Sequence, residues 1–135
     1  MVRSVIAVLA GLVVMVVLVV VFTIVGVMLF YPGQQPGAAV TPTTPWLVAN
    51  LGYSLLAAVA GGWTAARIAR RKRMAHAVVL AVIALALAVP GLLTETPEGQ
   101  PAWYAGVIAA VGILGVLAGG RLAAARTPHE TAEVH

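Results

Sequence analysis

The apolar positions of this chain form four long runs, separated by short segments rich in Pro, Gly and charged residues. A membrane span needs about 17–25 predominantly apolar residues, and each run reaches that length. The runs predict four helices, over about residues 4–30, 45–69, 74–92 and 101–125. We therefore expect an all-α integral membrane protein, a four-transmembrane-helix bundle over residues 1–126 with a short polar tail over 127–135.

The first run also raises the question of a cleaved leader. A signal peptide has an apolar core of about 7–15 residues, and the run over residues 5–30 is much longer. A retained helix is the preferred interpretation, with cleavage near Ala39 as the alternative. Local signals place two further helix ends. Thr44 is the predicted N-cap before Pro45, and Pro90-Gly91 is the predicted end of the third helix.

Composition favours lipid as the main solvent of the chain. Hydrophobic residues make up 61% and charged residues 9%, against about 45–50% and about 25% in soluble domains. A water-soluble fold of this size could not cover so much apolar surface. The net charge of +4 raises nucleic acid as a partner. In so apolar a chain, basic residues more often set membrane orientation, so no nucleic-acid partner is expected.

The sequence offers little material for catalysis. The absence of cysteine excludes disulfides, thiolate metal sites and cysteine nucleophiles. Asp is absent too, and all four glutamates lie outside the apolar runs: Glu95, Glu98, Glu130 and Glu133. Proton-coupled carriers use ionisable groups deep in their spans, and these runs have none. We expect no metal, no cofactor and no enzymatic activity.

The basic residues predict the orientation. With four spans, all eight fall on one side: Arg3, Arg67, Arg70, Arg71, Lys72, Arg73, Arg121 and Arg126. The positive-inside rule then places both termini in the cytoplasm. Aromatic residues agree, because Tyr31, Trp46, Trp103 and Tyr104 fall at the opposite boundary and Trp63 near the cytoplasmic one. The expected location is a cell's inner (plasma) membrane, and the Ala, Val, Gly and Arg bias suggests a bacterial one.

Two stretches of the chain resemble each other. Residues 60–67 read A-G-G-W-T-A-A-R and residues 118–126 read A-G-G-R-L-A-A-A-R, each following a proline close to a tryptophan. One hypothesis is a duplicated hairpin, with parallel repeats related by a pseudo-twofold axis along the membrane normal. The other is chance similarity between Ala- and Gly-rich helices. The sequence alone leaves both open.

Small residues predict how the helices pack, since close backbone approach drives association in lipid. The predicted packing positions are Ala57, Gly61 and Ala65 in helix 2, and Gly112, Gly115 and Gly119 in helix 4. Helix 1 is bulky and β-branched, with Gly26 taken as its one deep glycine. We therefore expect helices 2 and 4 to form the tight centre, with helix 1 more exposed to lipid.

The candidate site within the membrane is a polar face of helix 2. Asn50, Tyr53 and Ser54 stand at i, i+3 and i+4, so they share one side. A buried asparagine in lipid needs a hydrogen-bonding partner. The preferred interpretation is a bond to a neighbouring helix or subunit, and the alternative is a small ligand site opening outward. Thr23 is expected to bond its own helix's carbonyls.

A second candidate lies at the cytoplasmic ends of helices 2 and 3. Five basic residues could bind anionic lipid head groups or dock a partner: Arg67, Arg70, Arg71, Lys72 and Arg73. Their topogenic role is by itself a sufficient explanation. His76, near the start of helix 3, is expected to be structural or interfacial, because a metal site needs several ligands.

These observations favour a non-catalytic structural or accessory membrane subunit that assembles with itself or a larger complex through small-residue faces. The alternative is a small uncoupled transporter or channel, formed at a homo-oligomer interface with Asn50 near its outer mouth. A third hypothesis is an enzyme that uses His76. The partners expected in every case are the lipid bilayer and its anionic head groups.

Overall fold

In a computed structural model the chain forms four helices: α1 (Val2–Phe30), α2 (Thr44–Ala69), α3 (Arg73–Leu93) and α4 (Trp103–Ala125). The structure describes residues 2–35, 38, 41–69, 72–93 and 98–126, with backbone only for residues 2 and 3. Across those ranges no residue is in a strand. All four helices are long and apolar enough to cross a membrane. The predicted all-α chain with four candidate spans is confirmed, and the predicted tail over 127–135 lies outside the described residues.

The connection from α1 to α2 is built by local backbone geometry. The Tyr31 N–H still donates to the Val27 carbonyl at 2.9 Å. Gly33 then takes a φ of +93°, which glycine adopts without the strain that a Cβ causes. The Leu47 N–H donates to the Thr43 carbonyl at 2.9 Å. The N-cap is therefore Thr43, one residue before the Thr44 predicted from the sequence.

Proline positions account for the other differences in helix boundaries. Pro90 lies inside α3, and the helix ends at Leu93, one residue beyond the predicted bound at residue 92. Proline removes one backbone hydrogen bond, but membrane helices tolerate this when neighbouring groups satisfy the freed carbonyl. The fourth helix begins at Trp103. At its start, the Tyr104 N–H donates to the Pro101 carbonyl at 3.0 Å in a turn.

The four helices pack around α2, which contacts each of the other three. Its most extensive contact is with α4, the pair predicted to form the centre. The third helix packs mainly on α4 and less on α2 and α1. Within the described ranges α1 and α4 do not meet. We call the end of the bundle that carries Lys72 and Arg73 the basic end, and the end that carries Tyr31 and Gln100 the loop end.

The contact between α2 and α4 is a parallel packing of backbones. A Cβ on Gly62 would fall on the Val116 carbonyl oxygen, and one on Gly119 on the Val59 carbonyl oxygen. A Cβ on Gly115 would lie 2.7 Å from the Ala58 Cβ. Such close approach allows Cα–H···O contacts, which recur at helix–helix interfaces. Gly115 and Gly119 thus lie in this interface.

Gly112 lies outside that interface, although the sequence placed it on the same packing face. A Cβ built on Gly112 would meet no atom within 4 Å. Gly115 is three residues further along and Gly119 seven, so both return close to one side of a helix with 3.6 residues per turn. Gly112 therefore points to nearly the same side as Gly119, and the open space next to it means that the close approach of α2 does not extend to this level of α4.

The first helix is joined to α2 at two glycines, whereas the sequence pattern indicated only Gly26. A Cβ on Gly26 would lie 2.6 Å from the Trp46 ring. A Cβ on Gly11 would lie 2.7 Å from the Ala65 Cβ, and one on Gly61 2.8 Å from the Gly11 carbonyl oxygen. The prediction that Gly26 is the one deep glycine of α1 was therefore wrong. The rest of α1 agrees with the expected lipid exposure, with Val13 58% and Leu29 73% exposed.

The helix contacts bear on the hypothesis of a duplicated hairpin. Exchanging Gly62 with Gly119 and Val59 with Val116 leaves the α2–α4 contact unchanged, so this pair has local twofold character. The similar sequence stretches, however, align Gly61 with Gly119, one residue out of that register. In addition, α3 contacts α2 whereas the equivalent contact of α1 with α4 is absent from the described residues. The contacts of α1 with α2 and of α3 with α4 do correspond, so both hypotheses stay open.

Candidate functional site

The polar face of α2 lies at the junction of three helices. Asn50 is its centre: the Tyr104 hydroxyl of α4 donates to Asn50 Oδ1 at 2.7 Å, and Asn50 Nδ2 donates to the Tyr53 hydroxyl. The Ser54 hydroxyl is 3.5 Å from Asn50 Oδ1, at the outer limit of a hydrogen bond. The structure therefore brings together the three residues singled out from the sequence, and the strong contact out of α2 comes from Tyr104.

The cluster extends to α1 through Thr23. Thr23 Oγ1 and the Tyr53 hydroxyl are 2.9 Å apart, so the expectation that Thr23 bonds its own helix was wrong. In contrast, Thr64 follows that local pattern, since its hydroxyl donates to the Ala60 carbonyl at 2.8 Å. Thr23 differs because a phenol of the neighbouring helix lies within reach. We call Thr23, Asn50, Tyr53, Ser54 and Tyr104 the polar cluster.

Sequence reasoning missed two members of the polar cluster, Thr23 and Tyr104. Tyr104 was assigned to the membrane boundary as an interfacial aromatic, yet it is only 6% exposed. Its bond to Asn50 spans 54 residues, and the bond between Thr23 and Tyr53 spans 30. The spacing of residues along one helix cannot predict contacts between residues so far apart in sequence.

The polar atoms of the cluster satisfy one another. Asn50 uses its carbonyl oxygen as an acceptor and its amino group as a donor, which a phenol on each side complements. No buried side-chain nitrogen or oxygen in the described part of the chain lacks a hydrogen-bond partner. The same residues contain no group of three or more His, Cys, Asp or Glu that could hold a metal ion. This arrangement of hydrogen bonds is best suited to hold α1, α2 and α4 together.

Aromatic rings cover the polar cluster on the loop side. The Trp46 ring lies against Gly26 and has its centroid 5.9 Å from that of Phe30, 5.8 Å from Tyr31 and 6.3 Å from Tyr53. The Tyr31 hydroxyl donates to the Thr41 carbonyl at 2.9 Å and accepts the Thr43 N–H at 3.1 Å. These contacts fix the start of α2 over the end of α1.

One cavity lies directly beside the polar cluster. It has a volume of about 250 Å³ and opens between the end of α3 and the start of α4. Most of its lining is aliphatic, from residues such as Leu87, Leu92 and Ile108, and the polar groups come from Gln100 and Tyr104. Tyr104 thus joins this cavity to the hydrogen bonds around Asn50.

The basic residues that the structure describes at the other end make separate contacts. The Arg67 guanidinium lies 4.6 Å from the Trp63 ring centroid, a cation–π distance. Arg73 Nη1 donates to the Ala123 carbonyl at 2.8 Å, where a cation meets the negative end of α4. Lys72 is exposed, with a left-handed φ of 51°. Arg70 and Arg71, also predicted as head-group contacts, lie outside the described residues.

His76 lies between Lys72 at the basic end and a groove between α1 and α3. Its Nδ1 is 3.0 Å from the Lys72 carbonyl oxygen. Since a carbonyl only accepts, Nδ1 carries the hydrogen in this contact. The groove has a volume of about 320 Å³ and is lined by Ser4, Val5, Val8, Leu9, His76, Val79 and Ile83.

Comparison with known proteins adds no assignment to this geometry. The chain matches no protein-family model, no curated protein and no solved structure. Any function proposed for the chain therefore rests on its own residues and contacts.

Proposed function

We propose that this chain is a non-catalytic subunit, structural or accessory, of a bacterial inner (plasma) membrane. The observation that supports it most directly is the use of its membrane-embedded polar groups. Asn50, Tyr53, Tyr104 and Thr23 bond one another across three helices. An unsatisfied polar group in hydrocarbon costs several kcal/mol, so these bonds favour one arrangement of α1, α2 and α4.

The orientation proposed for this subunit has both termini in the cytoplasm. The basic end carries Lys72 and Arg73 at the start of α3, and Arg126 just after α4. In the sequence, residues 94–102 between α3 and α4 include two glutamates and no lysine or arginine. Cytoplasmic loops carry the excess of basic residues in membrane proteins, which supports a cytoplasmic basic end.

Assembly with a second chain is proposed through glycines that no helix of this chain covers. A Cβ on Gly112, Gly106 or Gly52 would meet no atom within 4 Å. Small residues on a lipid-facing surface let another helix approach closely. Gly112, which the sequence singled out for packing, is thus proposed to pack against a neighbouring subunit, either another copy or a larger complex.

The experiment that tests assembly compares two leucine substitutions on α4. After gentle extraction, the mass of the purified assembly is measured for the native chain, for Gly112→Leu and for Ala118→Leu, a control with the same new side chain at another exposed position. We expect a stoichiometric assembly that Gly112→Leu reduces and Ala118→Leu leaves intact. A monomer for the native chain would contradict the proposal.

The cavity beside Tyr104 supports one alternative, an uncoupled transporter or channel at a homo-oligomer interface. Its path would pass Gln100 and Tyr104 on the loop side. Tyr104→Phe keeps the ring and removes the hydroxyl, and Ala105→Leu narrows the cavity. Flux into vesicles lost in both variants with assembly intact would support transport. Equal flux in native and variant proteins would exclude a path through this cavity.

A further inference from the structure

The groove between α1 and α3 is apolar along its length and polar at one end. Its two polar lining residues, Ser4 and His76, both lie in the first turns of their helices. Both helices begin at the basic end, so these two residues mark a mouth there. The groove reaches the bundle core, since its lining residue Val8 is 8% exposed and packs in the same core cluster as Leu80.

The lining of the groove favours a hydrocarbon chain as its occupant. Apart from Ser4 and His76, the lining side chains are Val, Leu and Ile. A single acyl chain is thin and flexible enough to follow an apolar groove between two helices.

The charge at the mouth favours an anionic head group. The His76 ring is bonded to the main-chain carbonyl of Lys72, whose side chain is exposed at this end. The Arg73 guanidinium lies instead against the Ala123 carbonyl of α4. No acidic residue precedes Glu95 in the chain, so α1, α2 and α3 bring no carboxylate to this end. Basic groups at the membrane surface attract anionic lipids, and the Ser4 hydroxyl and the His76 ring add hydrogen-bonding groups.

We propose that this groove binds one anionic phospholipid of the cytoplasmic leaflet, with an acyl chain along Val5, Leu9, Val79 and Ile83. Its phosphate lies at the mouth, between Ser4, His76 and the Lys72 ammonium. The site rests on the proposed membrane insertion and orientation, and it names a specific lipid partner of that subunit.

Photocrosslinking of the full chain in vesicles tests this site. The vesicles contain phosphatidylcholine and a small fraction of photoactivatable lipid, which is phosphatidylglycerol in one sample and phosphatidylcholine with the same acyl chain in the other. We expect phosphatidylglycerol to label Leu9, Val79 and Ile83 several-fold more than phosphatidylcholine does. Leu56, 63% exposed on α2, serves as the reference and is expected to be labelled equally by both.

Three variants locate the acyl chain and the head group separately. Val79→Phe fills the groove and is expected to reduce its labelling several-fold, whereas Val82→Phe, on the same helix and 60% exposed, leaves labelling unchanged. Lys72→Gln is expected to remove the preference for phosphatidylglycerol.

Two negative outcomes have different meanings. Equal labelling of groove and reference by both lipids, or labelling unaffected by Val79→Phe, overturns the lipid site and leaves the proposed subunit in place. Absence of labelling on all four helices with either lipid contradicts membrane insertion itself, and with it both proposals.

Discussion

Asn50 and Tyr53 connect α2 by hydrogen bonds to two different helices. The Asn50 amide has a phenol on each side, Tyr104 from α4 and Tyr53 within α2, and Tyr53 also reaches Thr23 of α1. The sequence identified Asn50, Tyr53 and Ser54 because their spacing is a local property of a helix. It could not identify Tyr104 or Thr23, because those partners depend on how separate helices are arranged.

At the residue scale we predict a measurable coupling between Asn50 and Tyr104. Interhelical hydrogen bonds in membrane proteins average about 0.6 kcal/mol, with a maximum of about 1.7 kcal/mol, in double-mutant cycles. We expect a coupling within that range for Asn50→Ala combined with Tyr104→Phe, measured by reversible unfolding in detergent. Ser54→Ala is the control, and its coupling to Tyr104→Phe should be near zero. Strictly additive effects of Asn50→Ala and Tyr104→Phe would contradict the bond.

At the scale of whole helices, adjacent glycines serve different neighbours. Gly61 packs on α1 and Gly62 on α4, while Gly119 packs on α2 and Gly120 on α3, where an added Cβ would lie 2.5 Å from the Ala77 Cβ. Successive residues are about 100° apart around a helix, so two adjacent glycines face two different neighbouring helices. A four-residue spacing predicts that a face exists, but not which helix lies against it.

The glycines of α4 give a prediction about stability. In Gly119→Ala the new methyl group meets the Val59 carbonyl, which is backbone and cannot rotate away. We expect a loss of about 1–3 kcal/mol in the free energy of unfolding, typical of overpacking. Gly112→Ala is the matched control, since open space lies beside it. Equal stabilities of the two variants in the same detergent titration would refute this packing.

At the scale of the whole molecule, α2 is the helix on which the others are organised. It contacts α1, α3 and α4, and it carries Asn50, Tyr53 and Ser54 of the polar cluster and the glycine contacts with α1 and α4. It is also the least hydrophobic of the four candidate spans, with a mean hydropathy of 1.2 against 3.4 for α1. The neighbouring helices cover its polar and small residues, as a span in lipid would require.

Cysteine labelling tests the orientation of the whole bundle. The native chain has no cysteine, so each introduced thiol reports alone. We expect Gln35→Cys and Glu98→Cys to react with an impermeant reagent from outside intact cells, and Ala125→Cys to react only after permeabilisation. Glu98 is preferable to the neighbouring Gly99, whose φ of +82° disfavours any other residue. The reverse pattern would place the basic end outside.

The sequence by itself determined the number of helices, their approximate ends and the face that carries Asn50. These are local properties: run length must match the bilayer, and a backbone in lipid must bond internally, so an apolar run becomes a helix. Only the tertiary structure decided that Tyr104 and Thr23 complete the polar cluster, that Gly11 joins α1 to α2, and that Gly112 stays open. The physical reason is that these contacts depend on how separate helices are rotated relative to one another. That rotation is determined jointly by many contacts between residues distant in sequence.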